Sequence, residues 1–217
     1  MIWGSDSDST DFGTAREEMV ECLRRRLDLS AVTVEAMRAV PRHEFVPERR
    51  RGHAYEDRPL PIGDGQTVSA PHMVATMVET LDLDAGERVL EIGTGCGYHA
   101  AVTAEVVGAD AVYSVEYSAD LADAAAERLD RLGYGDVSVR RDDGQTGWPA
   151  HAPYDAAYLT CAASELPDGV VDQVAPGGRL LAPVGGRHQT LVFARKRADG
   201  TLDREDRGGV RFVRMRG

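Results

Sequence analysis

The chain has 217 residues, 42% of them hydrophobic, which suits one α/β domain burying a core without disulfide or metal staples. Its formal net charge of −11 argues against a phosphate backbone as partner, since nucleic-acid readers need a basic face to release counterions. Three scattered cysteines, Cys22, Cys96 and Cys161, form no CxxC pair, and the start MIWGSDSDST has neither a basic n-region nor a long apolar stretch. A soluble, cytoplasmic monomer without membrane or nucleic-acid partners is expected. Lys196 is the only lysine among many arginines, a surface like those of proteins from salt-loving cytoplasms.

In chain order, a polar start that should fray leads to Thr14 and Glu17, which have capping-box spacing before apolar positions Met19, Val20, Leu23 and Leu27. A second helix is expected from Thr33, burying Val34, Met37 and Val40 and stopping before Pro41. Residues 42–65 read mostly as loop. Pro71 then suits the first turn of a helix with the stripe Met73, Val74, Met77, Val78 and Leu81. Ser69 falls at that helix mouth, where unpaired N–H groups favour anions.

Beyond Asp84 the pattern alternates. ERVLEIG, AVYSVEY, VSVRR, YDAAYLT and GRLLAPVG read as strands, with helices from Tyr98 to Val107, Ser118 to Leu132 and Glu165 to Val174. Such βαβ units predict an α/β, Rossmann-like, doubly wound, mostly parallel sheet. QTLVFARKR and GGVRFVRMR, separated by the turn-rich ADGTLDREDR, predict an antiparallel terminal pair. A single domain over 1–217 is expected, with residues 1–70 a helical and loop extension and 71–217 the core.

In VLEIGTGCGYHAA the glycines Gly93, Gly95 and Gly97 follow the first buried strand and precede a helix, where doubly wound sheets bind ligands. Glycine permits positive φ and lets backbone approach a ligand closely. Glu116 ends the next strand, placed to accept ribose hydroxyls, and Asp143 after the third strand is placed to accept from an adenine amino group. A dinucleotide fingerprint would put its third glycine where Tyr98 stands, which weakens a dehydrogenase reading.

The stretch AYEDRPLPIGDGQTVSAPHMVATMVETL, together with VLEIGTGCGYHAAVTA, DDGQTGWPAHAPYDAAYLTCAA and PGGRLLAPVG, resembles the protein-L-isoaspartate (D-aspartate) O-methyltransferases. That resemblance spans roughly residues 14–185 and, more loosely, the tail. It implies a class I methyltransferase that uses S-adenosylmethionine, leaves S-adenosylhomocysteine, and methylates the free α-carboxylate of L-isoaspartyl residues in damaged proteins and peptides, with D-aspartyl residues a lesser substrate in some members. It also implies site residues: Ser69 as the active-site serine, flanked on the substrate side by Ile62 and Val68. On the cofactor side it implies His72, Glu91, Gly93, Thr94, Gly95, Gly97, Glu116, Asp143 and Gly144. The sequence departs from the family pattern at Asp142, at Cys96 and in the tail, where FVRM replaces FVPL.

Rival readings remain open on residues alone. An N-methyltransferase would carry an Asn/Asp-Pro-Pro-aromatic motif where TCAAS stands; a hydrolase would need Ser69 to face His72, or a reactive Cys96; a lapsed binding module would keep only the fold. Ser69 as a simple N-cap is the bland alternative. No HExxH spacing exists, Asp6, Asp8 and Asp11 lack the rest of a calcium loop, and no metal is expected. The arginine runs 24–26 and 49–51 read as solvated faces or ion-pair partners, and Trp3 and Trp148 as packing residues.

Overall fold

The computed structural model describes residues 11–217; the start expected to fray, with Trp3, Asp6 and Asp8, lies outside them. Helices α1 (Phe12–Arg26) and α2 (Ala31–Ala39) open the described chain. The cap of α1 lies three residues before the expected Thr14, and α2 begins two residues before the expected Thr33. Asp11 accepts the Gly13 and Thr14 N–H groups, and Ser30 accepts that of Thr33. Two 3₁₀ turns (Arg42–Phe45 and Glu48–His53) and a small hairpin, β1 (Leu60–Gly63) with β2 (Gln66–Val68), replace the expected loop. Helix α3 (Pro71–Leu81) follows, as its apolar stripe predicts.

The main sheet comprises β3 (Val89–Ile92), β4 (Val112–Glu116), β5 (Ser138–Arg141), β6 (Tyr154–Leu159), β7 (Val174–Gly185), β8 (Gln189–Lys196) and β9 (Leu202–Val210). Its order is β5-β4-β3-β6-β7-β8-β9, parallel from β5 to β7 and antiparallel beyond. Helices α4 (Tyr98–Val107) and α5 (Ala119–Arg131) make the crossovers, and α6 (Asp168–Gln173) precedes β7. The fold is thus the expected Rossmann-like methyltransferase architecture. Strand order reverses between β3 and β6, so their carboxyl ends open a crevice.

Two elements differ from expectation. Helix α6 starts only after Pro167, since proline disfavours a helical residue before it. The last strand is Leu202–Val210, mostly charged and exposed as an edge strand tolerates, rather than the GGVRFVRMR segment. FVRM is thereby freed to cross the carboxyl ends of the sheet. There the Ala162 N–H donates to Val213 O at 2.7 Å and the Met215 N–H to Ala162 O at 2.8 Å.

One core cluster joins Met19, Leu23 and Met37 of the N-terminal helices to Val78, Val102, Tyr158 and Leu181. A second, containing Leu90, Val115, Tyr154 and Val170, fills the other face of the sheet.

Candidate active site

The glycine turn is built by backbone conformation. Gly93 and Gly95 have φ of +100° and +56°, which L side chains rarely adopt; a Cβ on Gly93 would collide with Thr160 Oγ1, and one on Gly95 would lie 3.2 Å from Ile62 Cδ1. Both glycines line a cavity of about 740 Å³, mouth included, with Thr94, Glu116, Gly144, Val68 and Ser69 also in its wall. Gly97 differs: it caps α4, and its missing Cβ makes room for Leu129 of α5 rather than for a ligand.

Glu116 is 8% exposed and fixed against the turn, its two oxygens accepting the Gly95 N–H at 2.8 Å and the Ser118 N–H at 3.0 Å. Asp143 does not line the cavity. Its carboxylate caps the short turn Gly144–Thr146 by accepting the Gln145 N–H at 2.9 Å, leaving Gly144 as the wall residue from that loop.

Glu91 also departs from its expected cofactor role, for side chains alternate along a strand and this one turns into the core beneath α4. It accepts from Ser114 Oγ and, at 2.9 Å, from the Tyr158 hydroxyl. Burial pushes its pKa up to about 8 against the pull of those hydrogen bonds, so the carboxyl is largely protonated at neutral pH. Ser114 in turn meets Thr94 Oγ1 at 2.5 Å, and Tyr158 meets Thr103 Oγ1 at 2.9 Å. A buried polar chain therefore supports Thr94 from behind.

His99 lies tilted against the Tyr158 ring, centroids 4.5 Å apart, and also reaches the cavity wall. Burial drives its pKa down to about 3, so it is neutral, and both ring nitrogens lack a partner among the described residues.

Ser69 lies at the opposite wall. The N-cap position of α3 is Ala70, and the Ser69 hydroxyl has no hydrogen-bond partner among the described residues, so the N-cap alternative falls. The chain at this point is held from outside. Arg42, fully buried, donates to Ser69 O and to Ala54 O, each at 2.8 Å, and its guanidinium lies over the Tyr98 ring.

The α3 mouth is not a free anion site, because Asp57 already accepts the His72 N–H at 2.9 Å. The same carboxylate meets His72 Nδ1 at 2.7 Å and Arg26 Nη1 at 2.8 Å. His72 consequently faces Asp57 and an adjoining cavity, away from the glycine turn, where the resemblance had placed it near the cofactor.

Five residues are common to both cavities: Thr67, Ser69, Thr160, Val213 and Arg214. Of the three hydroxyls among them, Thr160's is hydrogen-bonded and those of Thr67 and Ser69 have no partner among the described residues; Ser69 is the one whose carbonyl Arg42 holds. Val213 and Arg214 of the tail line both cavities, and Arg216 lines the first and pairs with Asp64 of the β1–β2 turn at 2.7 Å. No sequence pattern points to Arg42 or Thr160, and the tail, whose RFVRMR spacing predicts a strand, instead runs past the last strand to line the cavity.

The sequence model of the family described as "Protein-L-isoaspartate(D-aspartate) O-methyltransferase" matches residues 14–217. The chain belongs to that family. A protein-L-isoaspartate O-methyltransferase of Archaeoglobus fulgidus is 50% identical over 208 residues, covering 95% of each chain. One of Methanopyrus kandleri is 48% identical, covering 97% of this chain and 95% of its own. Among solved structures, a protein-L-isoaspartate O-methyltransferase superposes with a TM-score of 0.85 at 33% identity, over 93% of this chain and 66% of that longer one. A Plasmodium falciparum chain solved with S-adenosyl-L-homocysteine reaches 0.80 at 24% identity and supports the fold. As an isoaspartate methyltransferase relative, the chain keeps Ser69 out of any serine–histidine pair, and Cys96 is buried with its thiol pKa pushed up, which removes both hydrolase arguments.

Proposed function

We propose that this protein transfers a methyl group from S-adenosylmethionine to the free α-carboxylate of L-isoaspartyl residues in damaged proteins and peptides, with D-aspartyl residues a lesser substrate. The observation that carries the reading is the free Ser69 hydroxyl at the junction of the glycine-floored cavity and a second, open one. The donor fits the first cavity. Gly93 and Gly95 bring backbone at positive φ to its wall, Glu116 offers fixed acceptors, and His99 offers a buried donor and acceptor without partners among the described residues. When bound, S-adenosylmethionine supplies a sulfonium methyl as electrophile.

An α-carboxyl group, with a pKa of about 3.5, is ionised at neutral pH and needs no general base. Ser69 donates a hydrogen bond to one carboxylate oxygen and leaves the other facing the glycine turn. Arg42 keeps that hydroxyl in place through the Ser69 carbonyl. The Val213–Arg216 strap limits water access, so acceleration comes from positioning and water exclusion.

We further read the chain as a single-domain, monomeric, cytoplasmic enzyme that does not act on nucleic acid. The net charge of −11 and a core cluster shared by extension and sheet support this; among the described residues no helix is long and apolar enough to cross a membrane. Labelled S-adenosylmethionine offered with matched isoaspartyl and aspartyl peptides tests the activity. Base-labile label on the isoaspartyl peptide alone is expected; stable label, or equal labelling of both, contradicts it.

A further inference from the structure

Charge is distributed unevenly over this molecule. The chain carries 36 acidic and 25 basic residues, yet the cavity outside Ser69 is lined by Arg187, Arg211, Arg214, His72 and His188 and by no aspartate or glutamate. Arginines elsewhere commonly sit in ion pairs, as Arg38 does with Glu17 and Arg179 with Glu87. Arg187, Arg211 and Arg214 pair with no carboxylate among the described residues.

Their placement is fixed by the scaffold. Arg187 lies in the β7–β8 turn, and Arg211 and Arg214 lie in the tail beyond β9. Buried Gln189 ties these two segments together, accepting the Phe212 N–H at 2.6 Å and donating to Phe212 O at 3.1 Å. The arginines are therefore held at one end of the sheet beside Ser69 without partners of their own.

Resting on the proposed reaction, we infer that Arg187 and Arg211 select isoaspartyl sites flanked by acidic residues, reading those carboxylates along the peptide on either side of the methylated one. The sign is not trivial. A protein of net charge −11 repels an acidic peptide at long range, but screening within a Debye length of about 8 Å leaves the local arginines in control. Exposed arginine–carboxylate pairs contribute about 0.2–1 kcal/mol each, so two of them shift KM by roughly 2- to 30-fold. Arg214 touches both cavities and is kept out of the test for that reason.

The experiment uses three isoaspartyl peptides of one sequence, with Glu, Gln or Lys at the flanking positions, assayed with wild type and with the Arg187→Gln/Arg211→Gln double variant. Wild type should show KM rising from Glu through Gln to Lys, with the spread collapsing at 1 M salt. In the double variant the order should flatten or reverse, since Arg214 is then the one arginine of that lining left against the global negative charge. Methylation of all three peptides with equal KM in wild type, or an unchanged order in the variant, overturns this inference alone. Methylation of none overturns the proposed function with it.

Discussion

The two walls of the active site are made by different physics. The glycine-floored wall is the end of a buried parallel sheet, where φ values, a strand-end carboxylate and a solvent-free polar chain through Glu91 fix each atom locally. The serine wall is a junction of remote segments: a buried arginine 27 residues upstream pins it, Asp57 closes the helix mouth, and the C-terminal strap covers it. Substitutions in the first wall should disturb donor binding and stability together. Substitutions in the second should alter acceptor handling with little effect on the donor.

Gly93→Ala should have the largest effect. A β-carbon at a φ of +100° costs about 1–3 kcal/mol of backbone strain, and its collision with Thr160 displaces a residue of the cavity wall. Calorimetry should show S-adenosylmethionine affinity reduced at least tenfold, with a lower Tm. Unchanged affinity would break the comparison at its firmest point.

Glu91→Gln comes next and reads out in pH. The folded carboxyl holds its proton up to about 8, whereas an unfolded one releases it near 4.5. Its contribution therefore falls as pH rises across that window, by about 1.4 kcal/mol per pH unit. His99, depressed to about 3, works in the opposite sense, losing stability as pH falls below 6.5, so it contributes nothing to the slope above that value. An amide of the same shape is neutral at every pH in this window. Denaturant unfolding between pH 6.5 and 8 should show wild type losing stability relative to Glu91→Gln, and parallel curves would contradict the buried, neutral carboxyl.

Arg216→Ala is the smallest. The Arg216–Asp64 pair is about 40% exposed on each side, so its loss should cost less than about 1 kcal/mol. A modest rise in peptide KM without change in donor affinity would sharpen the division between the walls; a change in donor affinity instead would blur it.

What the sequence disclosed follows the same division. Gly93, Gly95 and Glu116 were legible because strand, turn and helix are local and glycine reports a backbone need. Glu91 misled because it lies inside the glycine motif, yet the two-residue period of a strand aims it into the core. His72 was misplaced because Asp57, 15 residues away, captures it. Ser69 carried no local signal beyond its seat near Pro71, and only the likeness of the surrounding motif marked it. Thr160, 67 residues from the Gly93 carbonyl it bonds, and Arg42 act through contacts that no local pattern encodes.

The central claim is that Ser69 handles the acceptor carboxylate and leaves the donor alone. Ser69→Ala, with donor affinity measured by calorimetry and methyl transfer to an isoaspartyl peptide followed in single turnovers, tests it most directly. Transfer should fall by about 10²-fold or more, the scale for losing a transition-state hydrogen-bond donor, with S-adenosylmethionine affinity essentially unchanged. Transfer at the wild-type rate, or a loss explained by weakened donor binding, would contradict it.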